Sequence, residues 1–216
     1  TLGAAPLYGS GSTSVQFNGV NQSVSIPDHP LINLNAHAQR SIELVFNANT
    51  TTGRQVLYEE GATVNGLTIY IDNGTLYVNG RDAGAWGPVN ISTPINAGQT
   101  YHVAFTLDSG AGEFIGYVDG VEIGRDTVTA VFPSHSGDIG IGRMNQSAWF
   151  HDGSQGGNGF YFNGRISDVA VYNSVLSPLD MTERANAIFG TVQEVGAQNE
   201  EFNKVLDQIT EIAEDS

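Results

Sequence analysis

The chain has 216 residues, 40% of them hydrophobic, and 23 acids against 8 lysines and arginines give a net charge of −15. That length can bury one substantial core and does not demand two, while the charge argues against nucleic acid or an anionic membrane as partner. No apolar run approaches the ~18 residues of a membrane span, and the absence of cysteine removes disulfides, thiolate zinc sites and thiol nucleophiles.

The opening Thr1-Leu2-Gly3-Ala4-Ala5 reads as a processed start or an internal boundary. From Val15 to Tyr172, short alternating apolar runs are punctuated by Gly, Asn, Ser and Thr, the pattern of an antiparallel sandwich rather than of βαβ units. Strands are predicted near residues 14–17, 23–26, 40–47, 55–59, 67–71 and 75–78. Further strands follow near 99–108, 112–118, 121–127, 138–141 and 164–172. Asp72-Asn73-Gly74 and Asp119-Gly120 are hairpin turns, because Asn, Asp and Gly tolerate positive φ. A helix opens at Ser177 as N-cap, with Pro178 in its first turn and Asp180 at the capping-box position. After Gly190 the composition turns acidic, and Phe202, Val205, Leu206, Ile209, Ile212 and Ala213 form one helical stripe. A helix of ~15 residues is marginal alone, so the stripe must dock on something. The expected division is thus a domain over residues 1–190, with a capping helix at 178–189, and an acidic helical tail over 191–216.

Several residues invite chemistry. Glu59 and Glu60 are adjacent, but neighbours on a strand point to opposite faces and cannot flank one substrate. His29, His37, His102, His135 and His151 show no metal-type spacing, and His102 reads as a satisfied strand residue. Asp119 reads as a turn residue. Asp168 sits among Ile166, Val169 and Val171; if buried it needs a cation, an arginine such as Arg165 or Arg143, or several N–H donors. The glycine-rich segment 144–159 is too long for a simple connection and carries Asn145, Trp149, Phe150, His151 and Asp152. Arg81-Asp82-Ala83-Gly84-Ala85-Trp86 reads as a second such loop. Aromatic rings beside amides suit a sugar face and its hydroxyls, although the same rings can serve as loop anchors.

Five stretches in order carry a family resemblance. They are Phe17-Asn18-Gly19 leading to Val24–Pro27, Ser41–Phe46, Tyr101–Thr106 with Tyr117–Val121, Ile139–Gly142, and Phe162–Tyr172 with Leu176-Ser177-Pro178. Together they resemble the laminin-G-like, concanavalin A-like and pentraxin-like jelly rolls over most of residues 14–189. The resemblance implies an all-β antiparallel jelly-roll sandwich that recognises glycans or proteins, secreted, on a cell surface or on a virion. It also implies a structural calcium held by Asp168, with Asn18 standing where the family commonly has Asp and Asn21 or neighbouring backbone carbonyls completing the shell. The function expected is non-catalytic recognition of a carbohydrate or glycoprotein, through Trp149, Asp152, Asn145 and His151, helped by Trp86 and Arg81, at the loop edge rather than on a flat face. The alternatives are a structural subunit of an extracellular filament or viral particle, with the tail as its self-association device, and then a polysaccharide-active enzyme.

Overall fold

The computed structural model describes residues 2–9 and 13–190. The tail stripe from Phe202 to Ala213 therefore lies outside the described residues. Two antiparallel sheets face each other. The first contains β1 (Leu2–Ala4), β2 (Ser14–Asn18), β4 (Gln39–Ala48), β9 (Thr100–Asp108), β10 (Glu113–Val118), β11 (Val121–Thr127) and β15 (Asn163–Tyr172). Their order is β1-β2-β15-β4-β9-β10-β11. The second contains β3 (Val24–Ile26), β5 (Arg54–Gly61), β6 (Asn65–Asp72), β7 (Thr75–Asp82), β8 (Trp86–Pro94) and β12 (Ile139–Ile141), in the order β3-β12-β5-β6-β7-β8. A small ribbon of β13 (Ala148–Trp149) and β14 (Gln155–Gly156) stands apart.

Period-two alternation builds the core. Ile42, Leu44 and Phe46 of β4 meet Leu67, Ile69 and Ile71 of β6 and Leu76 and Val78 of β7, all fully buried in one cluster. Every predicted strand is present. The two hairpins form as expected, with Asn73 at φ 48° and Gly74 at φ 86°, and Asp119 at φ 51° and Gly120 at φ 79°. Across one end of the core, Arg40 of β4 donates through Nε and Nη2 to the two carboxylate oxygens of Glu60 on β5, at 2.9 and 2.7 Å. Both are wholly buried, so each charge depends on the other.

The sequence reading differs from the structure at β8. Residues 81–86 are a tight hairpin and not a free loop: Arg81 and Asp82 finish β7, residues 83–85 turn, and Trp86 begins β8. Trp86 is only 6% exposed and packs near Phe114 and Phe132. Apolar Val89 and Ile91 alternate with Pro88, Asn90 and Ser92, so a strand with one polar face looks like a turn-rich connection.

The helix α1 (Pro178–Phe189) begins with the full capping box of Ser177 and Asp180. It lies on the outer face of the seven-stranded sheet, where Met181 packs with Ala104, Ile115 and Tyr117. Gly120 permits that approach, since a Cβ there would stand 2.9 Å from the Ala185 Cβ. Among the described residues no helix is long and apolar enough to cross a membrane.

Candidate functional site

The hairpin turn at Asn73-Gly74 sets the register Tyr70↔Tyr77 and puts both rings on the outer face of the six-stranded sheet. They stack at 5.0 Å with 8° between planes. The long segment 142–162 folds back over this face. Its base is closed by the bond from Phe162 N to Gly142 O and by the Met144–Gly159 bridge. Its middle builds a second small core from Met144, Ala148 and Phe150, with Val56 and Tyr70 of the sheet below. Gly156 sits in this cluster because a Cβ would lie 2.6 Å from Phe160 and 2.8 Å from Phe150. The expected separation between a loop site and a sheet site therefore does not exist: the segment is docked on the sheet.

Its polar tip is held as firmly. His151 stacks on Tyr77 at 4.0 Å, donates its backbone N–H to Tyr70 Oη at 2.9 Å, and places Nδ1 3.0 Å from the same hydroxyl. Arg54 lies 4.1 Å from the Phe150 ring centroid and donates to Asp152 Oδ2 at 2.9 Å and Ser154 Oγ at 2.8 Å. The hydroxyl of Ser154, then the Arg54 guanidinium, hold the Asp152 carboxyl well below the usual carboxylate range. Trp149 is half-buried, with the Arg81 guanidinium 4.0 Å from its ring centroid. Asn145 donates Nδ2 to Asp138 O at 2.7 Å and accepts from Arg143 at Oδ1.

Beneath the root of the segment, Glu59, Thr68 and Asn79 form a buried row in register across β5, β6 and β7. Glu59 Oε2 accepts from Asn145 N at 2.9 Å, and Oε1 has no partner among the described residues. Burial pushes the Glu59 carboxyl up to about 7 against the pull of the Asn145 and Gln146 N–H groups. Glu60 points the other way into Arg40, as adjacent strand residues must. Beside the segment, Thr50, Thr52, Gln55, Tyr161 and Asn163 line a shallow cleft of about 520 Å³ that Arg54 and Phe160 share with the docked tip.

Of the residues singled out in the sequence, Trp149 and Arg81 meet, and Asn145, His151 and Asp152 share the docked segment. Trp86 belongs to the core instead. Arg54, Tyr70, Tyr77 and Tyr161 escaped the sequence reading. Tyr70 and Tyr77 were recoverable, because the two-residue turn fixes them opposite each other; Arg54 was not, because its pairing with Asp72 belongs to β5–β6, whose register shifts between Val56 and Tyr58.

The calcium set does not assemble. Asn18 pairs with Asn163, five residues before Asp168, a separation on the order of 15 Å along a strand. Asn18 Oδ1 instead accepts the backbone N–H groups of Val20, Asn21 and Gln22, and its Nδ2 donates to Asn21 Oδ1. Asp168 is exposed in a bulge of β15 at φ 53°. It is not held by Arg165 or Arg143, which reach Ala5 O and Asn145 Oδ1; the burial that was to demand a cation is absent.

Among known proteins, a family model described as the concanavalin A-like lectin/glucanases superfamily matches residues 18–181. No curated protein matches the sequence. Among solved structures, a native heptameric SAP-like pentraxin from Limulus polyphemus superposes with a TM-score of 0.59 at 19% identity, over 84% of each chain. The CBM40 of the Ruminococcus gnavus IT-sialidase, bound to α2,3-sialyllactose, gives 0.56 at 17% identity, over 81% of this chain and 99% of that one. The binding domain of botulinum neurotoxin serotype G gives 0.60 at 11% identity, over 82% of this chain and 42% of that one. At these identities the likeness is one of fold.

Proposed function

The chain belongs to the concanavalin A-like lectin/glucanase superfamily, and from that premise we propose that it is a non-catalytic carbohydrate-recognition module acting outside the cell. The observation that carries this reading is the segment 142–162, docked on the outer face of the six-stranded sheet, where it holds Trp149 against Arg81 and His151 against Tyr77 and, through Phe160 and Arg54, borders the amide- and hydroxyl-rich cleft. Sugar rings present apolar faces to aromatic side chains and hydroxyls to amides, and this surface offers both within one short stretch. The segment's own packing fixes these groups before a ligand arrives, which lowers the ordering cost of binding. The names of the similar structures, a carbohydrate-binding module with sialyllactose among them, support the ligand class. Self-association through the acidic tail is part of the same proposal, since several weak sites on one assembly bind a glycan surface by avidity.

A glycan array probed with the full chain and with Trp149→Ala tests the reading. The wild type binds a restricted set of glycans. The variant keeps its fold and binds about tenfold more weakly or worse, since stacking adds about 0.5–1.5 kcal/mol beyond buried area. Unchanged glycan binding by folded Trp149→Ala moves the site elsewhere, and an array with no bound glycan refutes the function.

A further inference from the structure

The docked segment meets the sheet over a buried acid. Gly140 of β12 lies opposite Glu59 of β5, and the root of the segment crosses directly above that pair. A Cβ on Gly140 would stand 2.6 Å from Arg143 O and 3.1 Å from Asn145 N, and one on Gly137 would run into the Gln146 amide. These glycines let the chain close down, and Glu59 beneath it is 1% exposed. Its Oε2 accepts the Asn145 N–H at 2.9 Å, with help from the Gln146 N–H. Its Oε1 has no partner among the described residues.

An ionised carboxylate in water keeps donors on both oxygens, so this place serves the charged form poorly. The neighbouring charges do not repair it. On the same strand Glu60 adds a like charge from the other face, where Arg40 holds it. His135 works in the opposite sense, and its Nε2 lies 3.5 Å from Glu60 Oε2. Arg143, in the root itself, gives Nη2 to Asn145 Oδ1. The remaining neighbours in register, Thr68 on β6, Asn79 on β7 and Gly140 on β12, do not ionise. Burial therefore dominates, and the carboxyl stands at about 7. Water can reach it when the whole sandwich unfolds, or when the root alone lifts. The second route leaves the large core intact, because Met144, Ala148 and Phe150 belong to the small cluster. Lifting the root and wetting Glu59 are then one local event.

We propose that segment 144–160 is a proton-dependent latch, held on the sheet while Glu59 carries a proton and loosened as Glu59 ionises. The closed segment keeps a proton that the open one releases near the ordinary 4.5, so the latch is fully set below that pH and weakens as pH rises to about 7. The opening equilibrium grows about tenfold per pH unit across this window, on the order of 300-fold in all. The tie from Asp152 to Arg54 stays charged throughout, since that carboxyl lies well below the usual range. Because the segment carries Trp149 and His151, the same proton tunes glycan affinity. That extension rests on the carbohydrate reading, whereas the test of the latch uses no glycan.

Amide hydrogen exchange of the full chain at pH 4.5, 5.5, 6.5 and 7.5, with each rate divided by that of an unstructured peptide, tests the latch. The probes are the Phe150, His151 and Gly159 amides, which donate to Ser154 O, Tyr70 Oη and Met144 O. Their protection should fall about tenfold per unit in the wild type, level off above about pH 7, and stay flat in Glu59→Gln. Amides of β4 and β9 should remain better protected at every pH. His151→Phe keeps a ring on Tyr77 and removes the segment's own imidazole, so the slope should persist there. Protection independent of pH in the wild type, a slope retained in Glu59→Gln, or a slope lost in His151→Phe overturns the proposal, whatever a glycan array shows.

Discussion

Replacing Glu59 by Gln should stabilise the protein above neutral pH and do little in acid. The carboxyl is 1% exposed, and burial raises it from 4.5 to about 7. The folded state therefore holds a proton that the unfolded chain releases near 4.5. Stability from this group is fully present below pH 4.5 and is lost as pH rises through about 7. A shift of about 2.5 units, at 1.36 kcal/mol each, puts the loss on the order of 3 kcal/mol. Glutamine keeps an oxygen for the Asn145 N–H at 2.9 Å, carries no charge, and brings an amide N–H₂ into the place of the partnerless Oε1. Urea melts of wild type and Glu59→Gln at pH 4.5, 6, 7 and 8 should give a difference near zero in acid. It should grow to on the order of 3 kcal/mol in favour of the variant at pH 8. Taking the difference cancels the other carboxyls, such as Asp152, whose contribution runs in the opposite sense. A difference independent of pH, or a variant less stable at pH 8, would show that the Glu59 charge is not suppressed by burial.

Gly156→Ala should cost about 1–3 kcal/mol by overpacking. The loss should appear as faster amide exchange in residues 144–160 while the sandwich strands stay protected. A chelator should leave the melting temperature unchanged, as should Asp168→Asn, because Asn18, Asn21 and Asp168 do not converge; a drop in both melts would restore a calcium site. Leu206→Asp with Ile209→Asp should lower the solution mass measured by light scattering and leave the near-ultraviolet spectrum of the sandwich intact. Unfolding of the whole domain would assign the tail to the core.

The strands were legible because each turns one face to the core, so Ile42, Leu44 and Phe46 announce their period of two against Ser41, Glu43 and Asn47, with Val45 the one apolar residue among the intervening positions. The N-terminus of α1 was legible for a different reason: Ser177, Pro178 and Asp180 satisfy its first backbone donors locally, with no help from distant residues. Strand β8 was hidden by its outward residues, which are turn formers, and Trp86 was misplaced with it. Asp168 was misread because a bulge depends on how two strands meet, and nothing within Ile166–Val171 reveals that one residue is squeezed outward. The docking of segment 142–162 was beyond reach for a similar reason. Its length and aromatic content were visible, but the tyrosine surface that receives it lies about eighty residues away in the chain, a pairing only the folded sheet creates.

The part of the segment from 144 to 160 shares a wall with the sandwich but not an interior, while Phe162 beyond it belongs to the large core. Tyr70 faces the small cluster while Ile69 and Ile71, its neighbours on the same strand, face the large one. Peeling the segment away therefore uncovers one cluster and leaves the other dry. Such a unit has its own opening free energy, below that of the whole domain, and opens and closes as a block. Its sequence is correspondingly free to change: residues at its tip can be exchanged for others that recognise a different ligand, while the jelly roll underneath offers Arg54, Val56, Glu59, Tyr70 and Tyr77 as a landing surface.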